Sequence, residues 1–164
     1  MSPSPSSPSL RHPTARASFG RVSVGVQGRV MMSVAEGPFD AELMTATKRA
    51  VALAGKRLPA DRRFADLVEI RTNLQMDADA LAALRASIDS FTRHGIVAIS
   101  TVFLVPRGIT GIERLPALMD IWRRSRPVRR ADTFEAAWAL VNADLIAAGL
   151  PAQDMPTPRL VSPR

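Results

Sequence analysis

The sequence of 164 residues contains no cysteine and only two histidines. Without cysteine there is no disulfide bond, no thiolate nucleophile and no cysteine-ligated zinc site. Only His94 lies outside the N-terminal segment, and it falls at the end of a predicted helix, where an imidazole acts as a C-terminal cap. These absences exclude thiolate catalysis and cysteine-ligated zinc and leave one histidine in the central part of the chain.

Long apolar runs are also absent. No segment approaches the ~18 uninterrupted apolar residues that a membrane span needs. The first nine residues, MSPSPSSPS, have neither the basic leader nor the apolar run of a secretory signal. We therefore expect a soluble, cytoplasmic protein without a membrane span.

The net charge of +7 comes mainly from the two ends of the chain. Residues 1–30 carry four arginines and no acidic residue, whereas residues 31–150 hold 16 basic and 14 acidic residues. Because the central part is nearly neutral, the overall basicity does not by itself indicate nucleic-acid binding.

Composition divides the chain into three segments. Residues 1–19 are rich in serine and proline and have little to bury, which predicts a disordered arm. Residues 151–164 are also rich in proline and predict a flexible tail. Residues 20–150 are long enough, and apolar enough, to form one domain with its own core.

The central segment predicts strands that alternate with helices. Valines at alternating positions on either side of Gln27-Gly28 predict an N-terminal hairpin. Residues 96–105 are almost entirely apolar and predict a strand buried on both faces, whereas residues 127–130 predict a short edge strand. The predicted order is β-β-α-β-α-β-α-β-α, an α/β fold with a mainly parallel sheet of about five strands and four helices.

Two of the predicted helices have clear N-terminal signals. Asp40 and Asp77 stand at N-cap positions, each preceded by an apolar residue that can pack against the first turn of its helix. In the second of these helices, apolar side chains recur at helical spacing and predict a face that is packed against the core. They are Leu81, Leu84, Ile88 and Phe91.

The predicted strand and the helix start that follows it resemble a known family. The strand contains Asp66-Leu67, and the helix start reads DADALAAL over residues 77–84. This pattern is similar to the STAS family, the anti-sigma-factor antagonist fold, whose helix motif it matches at the aspartate and at both leucines. Residues 133–138, TFEAAW, are similar to the last helix of its SpoIIAA-like branch. The resemblance covers roughly residues 21–149 and implies a non-enzymatic bacterial signalling module that acts through protein–protein interaction.

The chain departs from this family at the phosphorylation site. In the antagonist proteins, a partner kinase phosphorylates one of two tandem serines at the helix start, and the added charge breaks the complex. Here those positions are Ala78 and Asp79, so the usual serine phosphoswitch is not expected. Asp79 either replaces phosphoserine with a permanent charge or, together with Asp77, only caps the helix and complements its dipole.

A binding surface is predicted where two loops leave neighbouring strands. Arg107 and Thr110, with the glycines of RGITG over residues 107–111, offer donors to an anion, although the lysine and spacing of a P-loop are missing. An ordinary turn before a helix is the alternative interpretation. The carboxyl ends of parallel strands meet at one edge of a sheet, which brings the two loops together. The predicted partner- or ligand-binding residues are Arg71, Thr72, Asn73, Asp77, Ala78, Asp79, Arg107, Gly108 and Thr110.

No catalytic set accompanies these residues. The paired carboxylates Asp77 and Asp79 have no histidine, cysteine or lysine in the same loop. We therefore expect no enzymatic activity, no metal ligands and no cofactor. The leading hypothesis is a STAS-like regulatory module that recognises a protein partner or a small ligand at the start of the second helix.

Two other functions remain open. The SpoIIAA-like branch is related in fold to lipid-carrying proteins, so a lipid or another hydrophobic small molecule is the second hypothesis. An enclosed apolar pocket between sheet and helices would favour it, whereas a solid core would favour surface recognition. The third is nucleic-acid binding through the arginine-rich stretch from Arg123 to Arg130. It is disfavoured, because arginines at a helix end and an edge strand also serve as a solvated, aggregation-resistant surface. The oligomeric state is not indicated by the sequence.

Overall fold

In the computed structural model, which describes residues 20–156, the elements follow the order β-β-α-β-α-β-α-β-α. The predicted arm at residues 1–19 and the last part of the predicted tail lie outside the described residues. The strands are Arg21–Gln27 (β1), Val30–Glu36 (β2), Ala65–Arg71 (β3), Thr101–Leu104 (β4) and Val128–Ala131 (β5). The helices are Ala41–Gly55 (α1), Ala78–Arg93 (α2), Leu115–Arg123 (α3) and Phe134–Ala147 (α4).

The five strands form one sheet in the order β1-β2-β3-β4-β5. The first two strands are antiparallel and are joined by the predicted hairpin, in which Gln27 pairs with Val30. All the other neighbours are parallel. The predicted α/β class, the mostly parallel five-stranded sheet, the N-terminal hairpin and the four helices are therefore confirmed.

The fourth strand is shorter than the sequence predicts. Strand β4 covers only residues 101–104, and both of its neighbours, β3 and β5, pair with these four residues. The backbone N–H of Ile96 instead donates to the carbonyl of Phe91 at 2.9 Å, at the end of α2. The apolar run from residue 96 thus first closes a helix and only later enters the sheet.

Helices cover both faces of the sheet. In β3, Ala65 and Leu67 face α4, whereas Val68 and Ile70 face the side that carries α1, α2 and α3. This alternation follows from the two-residue period of a strand, and it places Asp66 on the same side as Val68. Among residues 20–156, no helix has both the length and the apolar character needed to cross a membrane.

Helix α2 stands away from the sheet. It packs against α1 and α3, but it approaches no strand as closely as α4 approaches β3 and β4. The apolar side chains that were predicted to face the core are only half-buried, and the buried residues of α2 are Ala80 and Ser87. Space therefore remains beneath this helix.

The contacts of the domain extend past residue 150. The carbonyl oxygen of Gln153 accepts hydrogen bonds from the indole of Trp138 and from the amide of Asn142, both at 3.0 Å. Its side-chain oxygen accepts a hydrogen bond from the backbone N–H of Arg29 at 3.1 Å. The first residues of the predicted tail are thus held between α4 and the turn of the N-terminal hairpin.

Candidate functional site

The loops that follow β3 and β4 lie side by side. The backbone N–H of Thr110 donates to the carbonyl of Thr72 at 2.9 Å, and the N–H of Leu74 donates to the carbonyl of Thr110 at 2.7 Å. We call residues 71–76 and 106–111 the loop pair. The structure therefore joins these two loops through their backbones and gives them one surface.

Several of the predicted site residues stabilise the loop pair itself. The hydroxyl of Thr72 donates to Glu36 at 2.9 Å, and this hydrogen bond is the largest influence holding the pKa of Glu36 below its ordinary value. The amide oxygen of Asn73 accepts from the N–H of Gln75 at 2.7 Å. The guanidinium of Arg71 donates to Glu69 at 2.7 Å. All three predicted side chains thus already have partners in the domain.

The start of α2 separates the roles of its two aspartates. The carboxylate of Asp77 accepts a hydrogen bond from the N–H of Ala80 at 2.7 Å, as an N-cap does. Asp79 lies two residues after Asp77, is exposed, and has no hydrogen-bond or ion-pair partner among the described residues. Ala78 is exposed as well. The N-cap prediction for Asp77 is confirmed, while Asp79 remains available to a partner.

The second loop is the more accessible half of the loop pair. Arg107, Gly108 and Thr110 are exposed, and Gly108 has a φ of 81°, in the left-handed region that glycine tolerates. Within residues 20–156, neither the guanidinium of Arg107 nor the hydroxyl of Thr110 has a hydrogen-bond partner. These groups can therefore bind a partner without breaking an existing contact.

A second feature lies beneath α2, where an apolar cavity of about 110 Å³ opens between the sheet and helices α1 and α2. Its floor includes Val68 and Phe103, and its helical walls include Met44, Leu84 and Ile88. The cavity exists because α2 rests on α1 and α3 rather than on the strands.

Asp66, on β3, is one of the polar residues that line the cavity. Asp66 is only 8% exposed, and its carboxylate accepts a hydrogen bond from the hydroxyl of Thr101 at 3.3 Å. Burial raises the pKa of Asp66 to about 6, although the charge of Arg126 and hydrogen bonding by Thr101 and Trp122 act in the opposite direction. This carboxyl group therefore exchanges its proton near neutral pH.

Arg126 lines the same cavity and is also 8% exposed. Burial lowers the pKa of its guanidinium below the ordinary value, while the charge of Asp66 partly restores it. The Nε atom donates to Ser125 at 3.2 Å. Among the described residues the terminal nitrogens of Arg126 have no acceptor, and Arg126 forms no direct ion pair with Asp66. Arg126 thus lines the cavity and has terminal guanidinium nitrogens for which the described residues supply no acceptor.

The arginines of the stretch from Arg123 to Arg130 differ in burial and in pairing. Arg123 pairs with Asp120 at 2.9 Å, and Arg124 pairs with Asp89 at 3.5 Å. Arg129 binds Asp144. Arg126 is thus buried, whereas Arg123, Arg124 and Arg130 are exposed, and the first two of these pair with aspartates.

Asp66 and Arg126 were not among the predicted site residues. A sequence signal existed for Asp66, since a charged residue within the apolar strand FADLV is costly to bury without a partner. No such signal existed for Arg126, which stands among four other arginines in nine residues. The burial of Arg126 depends on how the segment between α3 and β5 packs against the sheet.

Within residues 20–156, no three histidine, aspartate or glutamate side chains are grouped so that they could hold a metal ion.

Comparison with known proteins adds no further assignment. The fold agrees with the α/β class that the STAS resemblance implies. No protein-family model matches the chain, and no curated protein matches it significantly.

Proposed function

We propose that this protein is a non-enzymatic binding module that holds a small apolar molecule in the cavity between the sheet and helices α1 and α2. The observation that supports it is the cavity itself, a mainly apolar space whose lining includes a few polar side chains. This combination is typical of small-molecule sites, in which apolar walls supply affinity and a few polar groups fix orientation. Among the hypotheses from the sequence, it favours the hydrophobic ligand.

The size of the cavity limits the ligand. An engineered apolar cavity of about 150 Å³ in another protein admits benzene. A space of about 110 Å³ is therefore suited to a single ring or a short alkyl chain rather than to a lipid with two long acyl chains.

A matched pair of α2 variants tests the cavity. Ser87 lines it and is buried, whereas Ala82 is exposed on the same helix. We expect hexan-1-ol to raise the melting temperature of the wild-type protein and of Ala82→Leu by the same amount, because both keep the cavity. Ser87→Leu fills the space, so its melting temperature should not respond. An equal rise in all three proteins, measured by differential scanning calorimetry, would contradict binding in the cavity.

We propose as a second candidate that the loop pair and the start of α2 bind a protein partner, as a STAS-like module without the serine phosphoswitch. This rests on the exposed side chains of Asp79, Arg107 and Thr110, which have no partner within the described residues. They stand on loops that are joined through the backbone, so a partner would meet a preorganised surface.

Affinity capture from the native cytoplasm, with quantitative mass spectrometry, tests this second candidate. Asp79→Ser restores a phosphorylatable hydroxyl, and Arg107→Ala removes the free cation. If the loop pair binds a partner, a protein recovered with the wild type should be depleted in at least one variant. The control is Ala143→Ser, a substitution at an exposed residue of α4 that is remote from the loop pair. Identical recoveries from all four proteins would count against the surface.

A further inference from the structure

We propose that the ligand of the cavity is an apolar monocarboxylate, whose carboxylate binds Arg126 and whose hydrocarbon part lies against α1 and α2. This ligand class rests on the proposed function, since it requires the cavity to be a ligand site.

Arg126 supplies the first reason. A guanidinium group presents a planar fork of N–H donors that matches the two oxygens of a carboxylate. At 8% exposure, Arg126 has lost most of its hydration, and the opposite charge that acts on it among the described residues is Asp66, with which it forms no direct ion pair. Its terminal nitrogens nevertheless have no acceptor among the described residues. A bound carboxylate would supply the two missing acceptors.

The rest of the cavity supplies the second reason. Of the described residues that line it, only Lys48, Asp66 and Arg126 carry charge, and Lys48 is exposed on α1. The remaining lining is mostly apolar, so a ligand needs one charged end and an apolar body. Below pH 6, where Asp66 is mostly protonated, an amine at that end would be repelled by Arg126, and an alcohol offers the donors of Arg126 a single oxygen where a carboxylate offers two.

Asp66 makes the binding depend on pH. Two carboxylates beside one guanidinium leave an excess negative charge in a buried site, which favours retention of one proton between them. Thr101 donates to Asp66, and Trp122 and Arg126 also act on it. Because the pKa of Asp66 is about 6 before the ligand binds, binding above that pH takes up a proton. Affinity should then fall by up to about tenfold for each further pH unit.

Three probes of equal length, hexanoate, hexan-1-ol and hexylamine, test the ligand class on the full chain by isothermal titration calorimetry at pH 5.5 and 7.5. We expect hexanoate to bind at least tenfold more tightly than either other probe at pH 5.5 and to weaken at least tenfold at pH 7.5. Affinity for hexan-1-ol should not change. Titration of hexanoate at pH 7.5 in two buffers of different ionisation enthalpy should report the uptake of a proton.

Two variants locate the effect, with circular dichroism as the check of folding. Arg126→Met should lose the preference for hexanoate and keep hexan-1-ol binding, whereas Asp66→Asn should bind hexanoate with little dependence on pH. If wild type binds hexan-1-ol as tightly as hexanoate at both pH values, the carboxylate assignment is overturned and the cavity function stands. If none of the probes binds, both are overturned. The wild-type titrations decide this even if a variant does not fold.

Discussion

At the scale of single residues, Asp66 is the group whose surroundings most change its chemistry. A strand that is buried on both faces gives a carboxyl group little access to water, so the neutral form is favoured. The hydrogen bond from Thr101 and the charge of Arg126 favour the ionised form, but they do not offset the burial. The sequence places Asp66 in a strand, and only the packing above it makes it a titrating group near pH 6.

This environment predicts an unusual pH dependence of stability. Because the pKa of Asp66 is higher in the folded state than in the unfolded chain, the folded state holds the proton more tightly. Its contribution to the free energy of unfolding is thus fully present below about pH 4 and is lost as the pH rises through 6, a change of up to about 3 kcal/mol. Asp66→Asn should remove this loss.

Urea denaturation of wild type and Asp66→Asn at pH 4.5 and 7.5 measures the effect. Glu36 and Asp61 have lowered pKa values and give the opposite slope, but they are common to both proteins and cancel in the difference. The variant should gain stability relative to wild type between the two pH values. Parallel stability curves would show that Asp66 does not titrate as its burial requires.

At the scale of elements, α2 shows which features of a helix can be predicted from its local sequence pattern. Its N-cap at Asp77 was predictable, because capping depends on residues that are neighbours in the sequence. Its apolar stripe was also correctly identified as facing inward, since Leu84 and Ile88 line the cavity. The stripe packs against the core but stays only half-buried, because α2 rests on α1 and α3 rather than on the strands.

The two aspartates at the start of α2 should differ in their effect on stability. Asp77→Ala removes the hydrogen bond to the N–H of Ala80 and should cost about 1 kcal/mol. Asp79→Ala removes only an exposed charge near the helix dipole and should cost about 0.3 kcal/mol, less at high salt. Chemical denaturation of both variants provides the comparison. Equal losses would mean that Asp79 also acts as a structural cap.

Strand β4 shows the opposite case at the same scale. The apolar run over residues 96–105 predicted ten residues of strand, but the strand begins only at Thr101. Apolar composition reports burial, and residues 98–100 are indeed largely buried. Whether a buried segment joins a ladder depends on its partner strands, and both β3 and β5 pair only with residues 101–104.

At the scale of the whole molecule, Gln153 connects distant parts of the chain. Its side-chain oxygen accepts a hydrogen bond from the backbone N–H of Arg29 in the hairpin turn, and its backbone forms hydrogen bonds with Trp138 and Asn142 on α4. Gln153→Ala leaves the backbone N–H of Arg29 without its acceptor and should lower the free energy of unfolding by about 1 kcal/mol. Gln153→Glu keeps an acceptor oxygen and should lose less. Thermal denaturation of the two variants checks this, and equal melting temperatures for Gln153→Ala and wild type would contradict it.

The sequence by itself determined the order of elements, the parallel sheet and the helix caps, because each follows from residues close together in the chain. It also placed the two loops that meet at the end of β3 and β4. The tertiary structure alone decided that α2 stands off the sheet, that a cavity lies beneath it, and that Asp66 and Arg126 share that cavity. These features depend on the distances between elements that are far apart in the sequence, where packing rather than local pattern sets the free energy.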